Sequence, residues 1–294
     1  MANPILPTNG THELQERYAQ AIVALKRKEN VVRNLFKRDY EGDPKAGAVK
    51  IPKRNTEVTV ASYDVVDGVS LTTSATEYAN VLVDQDEAIN ELIDGYEASA
   101  VPDNLVAQRI DSGAYSMGRT QELYAINVLQ DGGTVDTTVT ETAAADVYSS
   151  IVNYVKQLKK LGISINEIKI VISEDIWEKL LTDEKFTNTA SSVGSERAMR
   201  GVVNLIAGAE VYTSSNLWED EADATTDGQD TTTEFIVFSP LWAQTVEDWK
   251  VLPMINDLKD GAHIGASALQ GRMVYKDTLL DSTTCLVKVI EAAS

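Results

Sequence analysis

The sequence predicts an α+β protein whose helical and strand-forming stretches are segregated along the chain, with one long ribbon that has no evident core of its own. Three observations carry this reading. Residues 102–130 hold one extended apolar stripe at helical spacing. Residues 144–213 alternate short helix and strand patterns, as a small α/β unit does. Residues 48–84, "AVKIPKRNTEVTVASYDVVDGVSLTTSATEYANVLVD", alternate like a hairpin: Val49 and Ile51, Val58 and Val60, Val69 and Leu71, Val81 and Val83. Between them lie Lys, Arg, Thr, Ser, Asp and Asn. An isolated two-stranded hairpin is marginal in water, so this ribbon requires a partner surface.

In chain order, residues 11–38 read as a helix. Leu14, Tyr18, Ile22 and Leu25 recur at spacings of three and four, and Val32, Leu35 and Phe36 continue the apolar side. Lys26, Arg27, Lys28, Arg33, Lys37 and Arg38 dress the rest, Thr11 is a candidate cap, and "YEGDPKAG" ends the helix. In the ribbon, Asp67-Gly68 is a turn signal, and Pro52 marks an edge strand. Residues 85–98, "QDEAINELIDGYEA", are acidic and helix-prone. Pro102 suits the first turn of the long helix. Leu105, Ile110, Ala114, Met117, Leu123, Ile126 and Leu129 form its stripe. Gly113 and Gly118 are costly inside a helix unless another backbone comes close.

The α/β unit begins with a helix over 144–161, its apolar face Val147, Ile151, Tyr154, Val155 and Leu158, with Gly162 as C-cap. "IKIVIS", 168–173, is a buried strand. A helix over 173–186 follows, with Ser173 as N-cap. Val202–Ala207 reads as a short helix or turn, and Ala209–Thr213 as a strand. Residues 218–234 contain seven acids and no base and read as a loop. Their Asp spacing lacks the order of a calcium loop. The rest of the chain, from "EFIVFSP" through "TTCLVKVIEA", reads as antiparallel strands.

Charge divides the chain. It has 294 residues, 26 Lys and Arg and 45 Asp and Glu, for a net charge of −19. Residues 1–54 carry 11 basic against 6 acidic groups, so a net +5 arm precedes a −24 body. Such a body repels phosphate backbones, which argues against a dedicated DNA reader. The N-terminus lacks the basic-then-apolar order of a secretory signal. No apolar run approaches the ~18 residues of a membrane span. The single cysteine, Cys285, reads as a small apolar strand residue and excludes an internal disulfide framework.

The motifs of the common enzyme classes are missing. His12 and His263 are the only histidines. There is no zinc-type His or Cys pairing, no phosphate loop and no nucleophile elbow. The glycines of "GAHIGASALQG" lie between strands and do not form a dinucleotide fingerprint. No catalytic residue, metal ligand or cofactor is assigned.

The order of elements then carries a resemblance. "GAVKIPKRNTEVTVASYD" opens the ribbon and "YANVLVDQDEAINELID" leads back from it. The long helix from Pro102 follows, then "IKIVISEDIWEKLL" and "GVVNLIAGAEVYTSSNL". This arrangement resembles the major capsid proteins of tailed bacteriophages, the family with the HK97 fold. The resemblance implies an N-terminal arm (1–47), an extended β-hairpin E-loop (48–84) and a peripheral domain with the spine helix (85–139). It further implies an α/β axial domain (140–233) and return strands of the peripheral domain (234–294).

The resemblance also implies a structural protein, not an enzyme, that self-assembles into an icosahedral head shell around phage DNA. The E-loop would pack on a neighbouring subunit, and the basic arm would run along an adjacent acidic one. The expected contacts between subunits are Lys26, Arg27, Arg33, Lys37, Arg38, Lys53, Arg54, Val58, Val60, Val69 and Leu71. Implied partners are other copies in pentamers and hexamers, a separate scaffolding protein, a portal, a decoration protein and DNA held without sequence specificity. No membrane is implied. The place is the virion capsid, assembled in the host bacterial cytoplasm. Lys50 and Lys53 lie at the ribbon base, away from its tip, so no crosslink through the ribbon is expected. Two alternatives are an encapsulin-type shell with the same fold and an acidic two-lobed cytosolic enzyme whose ribbon folds back on its own core.

Overall fold

A computed structural model describes residues 27–40, 47–53, 58–71, 73, 77–94, 105–136, 140–186, 205–217, 231–258 and 265–291. Three sheets organise them. Strands β1 (Ala48–Lys53) and β2 (Glu77–Leu82) form an antiparallel pair, Ala48 opposite Leu82 and Lys53 opposite Glu77. Strand β3 (Gln85–Ile93) pairs antiparallel with β10 (Ser267–Leu279), which pairs antiparallel with β9 (Ala243–Asp257). The third sheet is mixed, in the order β4 (Thr134–Val135), β11 (Cys285–Glu291), β8 (Thr231–Phe238), β5 (Lys169–Ile172), β7 (Ala209–Thr213), β6 (Leu205–Ile206).

Helix α1 (Leu105–Gly132) has 28 residues and is therefore about 42 Å long. Its N-terminal half lies on the three-stranded sheet, an approach that Gly113 makes feasible, while Gly118 leaves room for the segment at Asn30. A Cβ on Gly113 would come within 3.3 Å of Pro253, and one on Gly118 within 3.0 Å of the Asn30 side chain. Met117 packs there with Met273 and Tyr275. The C-terminal half of α1 lies on the six-stranded sheet through Ala125, Ile126 and Leu129.

That sheet is apolar on both faces because its strands alternate between two cores. Ile170, Ile172, Phe235 and Val237 face α2 (Val147–Lys160) and α3 (Glu174–Thr182). Val171, Ile236, Phe238, Cys285 and Val287 face α1 and the strap residues Val32 and Phe36. Both caps form as expected. The Ser173 hydroxyl accepts from the Ile176 N–H at 3.4 Å, and Gly162 ends α2 at φ +87°.

Four expectations need correction. Residues 85–93 are strand, not helix: alternate side chains of "QDEAINELI" turn to opposite faces, and pairing along β10 outweighs local helix propensity. Residues 27–40 are not helical beyond the 3-10 turn Arg33–Leu35, because side chains of the body capture the backbone groups that a helix would use. The part of that expected helix at 11–26 lies outside the described residues. Leu205–Ile206 is a strand, joined to β7 by a tight turn at Ala207 and Gly208, both with positive φ; 202–204 lie outside the described residues. Finally, sheet membership does not follow the expected division at 233/234. Strands β8 and β11 complete the sheet of the α/β unit, while β9 and β10 alone join β3. Of the acidic stretch 218–234, residues 218–230 lie outside the described residues, as do both histidines, and 231–234 belong to β8.

Candidate assembly surfaces

The ribbon has an anchored root and a bare shaft. At the root, Ile51 and Val81 bury against Val246, with Tyr40, Val49 and Leu280 around them. The Lys53 ammonium donates to the Leu280 carbonyl at 2.7 Å. Beside the root lies an open cavity of about 650 Å³, lined by Tyr40, Ile51, Pro52, Leu241, Trp242 and Leu280, among others. The tip is a tight turn. Gly68 N–H donates to the Asp64 carbonyl at 2.9 Å, with Gly68 at φ +72°. The Asp64 carboxylate accepts from Val66 and Asp67 N–H, which holds it below its ordinary range.

Between root and tip, nothing among the described residues covers the apolar side chains. Val58, Val60, Val65, Val66 and Leu71 are each more than 80% exposed, Tyr63 is 74% exposed and Val69 is half-exposed. Scattered exposed apolar residues are ordinary. Seven within residues 58–71 form the kind of patch that marks an interaction surface.

The basic segment behaves differently. Residues 27–38 form a strap over the protein's own body. One buried carboxylate, Glu122 on α1, accepts three backbone N–H groups: Val31 at 2.8 Å, Val32 at 2.6 Å and Arg33 at 2.9 Å. Burial raises the Glu122 carboxyl above its ordinary range, although those N–H groups and Arg33 oppose the shift. The Arg33 guanidinium is buried. It donates to Asp277 at 3.0 Å, Gln121 at 2.7 Å and Asp248 at 3.2 Å, and lies 5.6 Å from the centre of the Tyr275 ring. Burial likewise raises Asp277. Burial pushes Asp248 the same way, but Arg33, Lys250 and Arg38 together leave it below its ordinary value.

Several of the residues expected to meet a neighbouring subunit also make contacts within the chain. Arg33 is enclosed. Arg27 pairs with Asp111 at 2.6 Å and stacks on Tyr115, and Arg38 pairs with Asp248 at 3.1 Å. Lys37 exchanges backbone hydrogen bonds with Ala243 and Thr245, and Lys53 is tied to the ribbon root. Carboxylates on α1, β9 and β10 take Arg27, Arg33 and Arg38, and backbone groups take Lys37 and Lys53. Lys26 and Arg54 lie outside the described residues. Val58, Val60, Val69 and Leu71 keep the exposure a contact surface needs. Sequence reasoning missed Glu122, Asp248 and Asp277. The only signal was three acids within mostly apolar stretches. Among the described residues no cluster of His, Cys, Asp and Glu is arranged to hold a metal, and no helix is long and apolar enough to cross a membrane.

The architecture is the HK97-type α+β fold of tailed-phage capsid structures. A chain from Mycobacterium phage Che8 superposes with a TM-score of 0.76 at 21% identity, over 95% of this chain and 98% of that one. A chain of the bacteriophage PhiM1 mature capsid gives 0.75 at 15% identity, over 95% and 93%. One from the capsid of cyanophage P-SCSP1u gives 0.75 at 14%, over 95% and 93%. No family model matches the sequence, and no curated protein does.

Proposed function

We propose that this chain is a major capsid subunit that closes, with many copies of itself, into the icosahedral head shell enclosing phage DNA. The observation that carries the reading is the bare ribbon. Burying a Val or Leu side chain stabilises by roughly 1.5–3 kcal/mol, and the shaft leaves five of them almost fully in water. An enzyme would fold such a ribbon onto its own core. A shell subunit supplies the missing surface from its neighbour. Many such modest contacts per copy make a closed shell stable even where each pair is weak.

In this reading residues 48–84 are the E-loop and α1 is the spine helix. The six-stranded sheet with α2 and α3 forms the axial unit of pentamers and hexamers, and β3, β9 and β10 form the peripheral sheet. The subunit resides in the virion and assembles in the host cytoplasm with a separate scaffolding protein. A portal and a decoration protein are further partners, and DNA is held without sequence readout. The likeness to phage capsid chains over nearly the whole length supports this.

The test is negative-stain electron microscopy of the purified full chain, produced with and without the adjacent scaffolding gene. Hollow shells, or flat rings of pentamers and hexamers, are expected. A discrete monomer or dimer under both conditions would overturn the reading in favour of the two-lobed enzyme.

A further inference from the structure

Helices α2 and α3 cover the same face of the six-stranded sheet, and their outer surfaces carry opposite charge. Lys156, Lys159 and Lys160 are exposed on α2, and Glu174, Asp175 and Glu178 on α3. Among the described residues, no ion pair involves any of these six. Other lysines of the same region do find acids: Lys169 pairs with Glu210, Lys179 with Glu141 and Lys185 with Asp146.

Helix dipoles explain only part of the pattern. Lys159 and Lys160 lie in the last turn of α2, and Glu174 and Asp175 in the first turn of α3, each at the end its charge favours. That effect fades beyond the terminal turn, whereas Lys156 and Glu178 extend each charged face inward. The basic face is also set in a chain of net charge −19, whose acidic remainder repels phosphate-bearing polymers, so a local acidic protein face suits it better than nucleic acid does.

We propose that the basic face of α2 docks against the acidic face of α3 in the next copy of this chain. The inference rests on the capsid reading and deepens it by naming a contact between axial units. One face meets a different face of its neighbour, so the contact is head-to-tail and repeats around an axis until a ring closes. Charge complementarity of this kind sets register and the rate of encounter. Exposed pairs are individually weak, but three per contact, repeated around the ring, add up. Leu161, exposed beside the lysines, supplies an apolar centre.

The test is charge exchange in the full chain. The triple variant Lys156→Glu, Lys159→Glu, Lys160→Glu is expected to associate at least about tenfold more weakly than wild type, as is Glu174→Lys, Asp175→Lys, Glu178→Lys. The six-substitution chain is expected to recover assembly. A mixture of the two triple variants can alternate only around even-numbered rings, so hexamers and no pentamers should appear by electron microscopy. Wild-type assembly with unimpaired triple variants overturns the pairing and leaves the capsid reading intact. So does failure of the six-substitution chain to recover, or loss of DNA binding with no effect on rings. Absence of wild-type assembly overturns both. Should reversed chains fail to fold by circular dichroism, the triple Lys→Gln variant decides. Its assembly threshold should not respond to NaCl, whereas that of wild type rises; equal salt responses overturn the pairing.

Discussion

Replacing Glu122 tests whether the strap is held as the structure indicates. Glu122→Ala removes the acceptor of three N–H groups, of which those of Val32 and Arg33 are buried. Each buried donor left without a partner costs about 1–3 kcal/mol, so two give a gross loss of about 2–6 kcal/mol. Relief of a carboxylate that burial already disfavours offsets part, leaving an expected loss of about 1–4 kcal/mol. Glu122→Gln keeps one oxygen, which serves Val31 and Val32, and turns an amide N–H toward Arg33 N–H; about 1–3 kcal/mol is expected. Urea unfolding of the unassembled chain measures both, and hydrogen exchange at residues 31–33 locates the effect. The pH dependence has a definite sign. The folded-state value of Glu122 lies above the ordinary one, so its proton-linked stabilisation is fully present below the ordinary value. It fades as pH rises through the folded value. Wild type should therefore gain on Glu122→Gln as pH falls from neutral toward the ordinary carboxyl range. Losses below about 0.5 kcal/mol, with unchanged exchange at Val32 and Arg33, would refute the strap.

Other expectations concern the ribbon and the interior. Val60→Ser with Leu71→Ser should change unfolding of the isolated subunit by no more than about 0.5 kcal/mol while raising the concentration needed for assembly, read by sedimentation; a large stability loss would mean that the ribbon packs on its own chain. Gly113→Leu must push Pro253 away from α1 and should cost about 1–3 kcal/mol; an unchanged thermal midpoint would contradict the close approach. Cys285 is fully buried and its thiol is pushed up by that burial, so it should resist a thiol reagent until urea unfolds the chain, and rapid labelling of the native subunit would place it elsewhere.

Much of the fold was legible because local patterns and tertiary packing agree. Helix α1 with Met117, Ile126 and Leu129 of its stripe, the apolar face of α2, the Ser173 and Gly162 caps and the strand at 169–172 all follow from spacing and capping chemistry, whereas Ala114 of the expected stripe is exposed. The failures share a cause. "QDEAINELI" has helix-forming residues, but β10 offers it a full ladder of hydrogen bonds. The basic strap has helical spacing, but Glu122 takes its N–H groups. Of the candidate contacts, the exposure of the ribbon's apolar residues was legible since alternation without a core is visible in one dimension. For the basic ones, the partners that Arg27, Arg33 and Arg38 find within the chain were not legible, because sequence shows a charge and not its nearest carboxylate.

By itself, then, the sequence determined that this is an α+β chain with a ribbon lacking its own core, a long helix and a compact α/β unit. Periodicity is a local property, and hydrophobic burial enforces it residue by residue. Only the tertiary structure decided that Arg27, Arg33 and Arg38 serve their own subunit, that β8 and β11 join the sheet of the α/β unit, and that Val58, Val60 and Leu71 remain uncovered. Those outcomes depend on which groups, distant along the chain, come within a few ångströms, where short-range hydrogen bonds and ion pairs in a low-dielectric interior outweigh local preference.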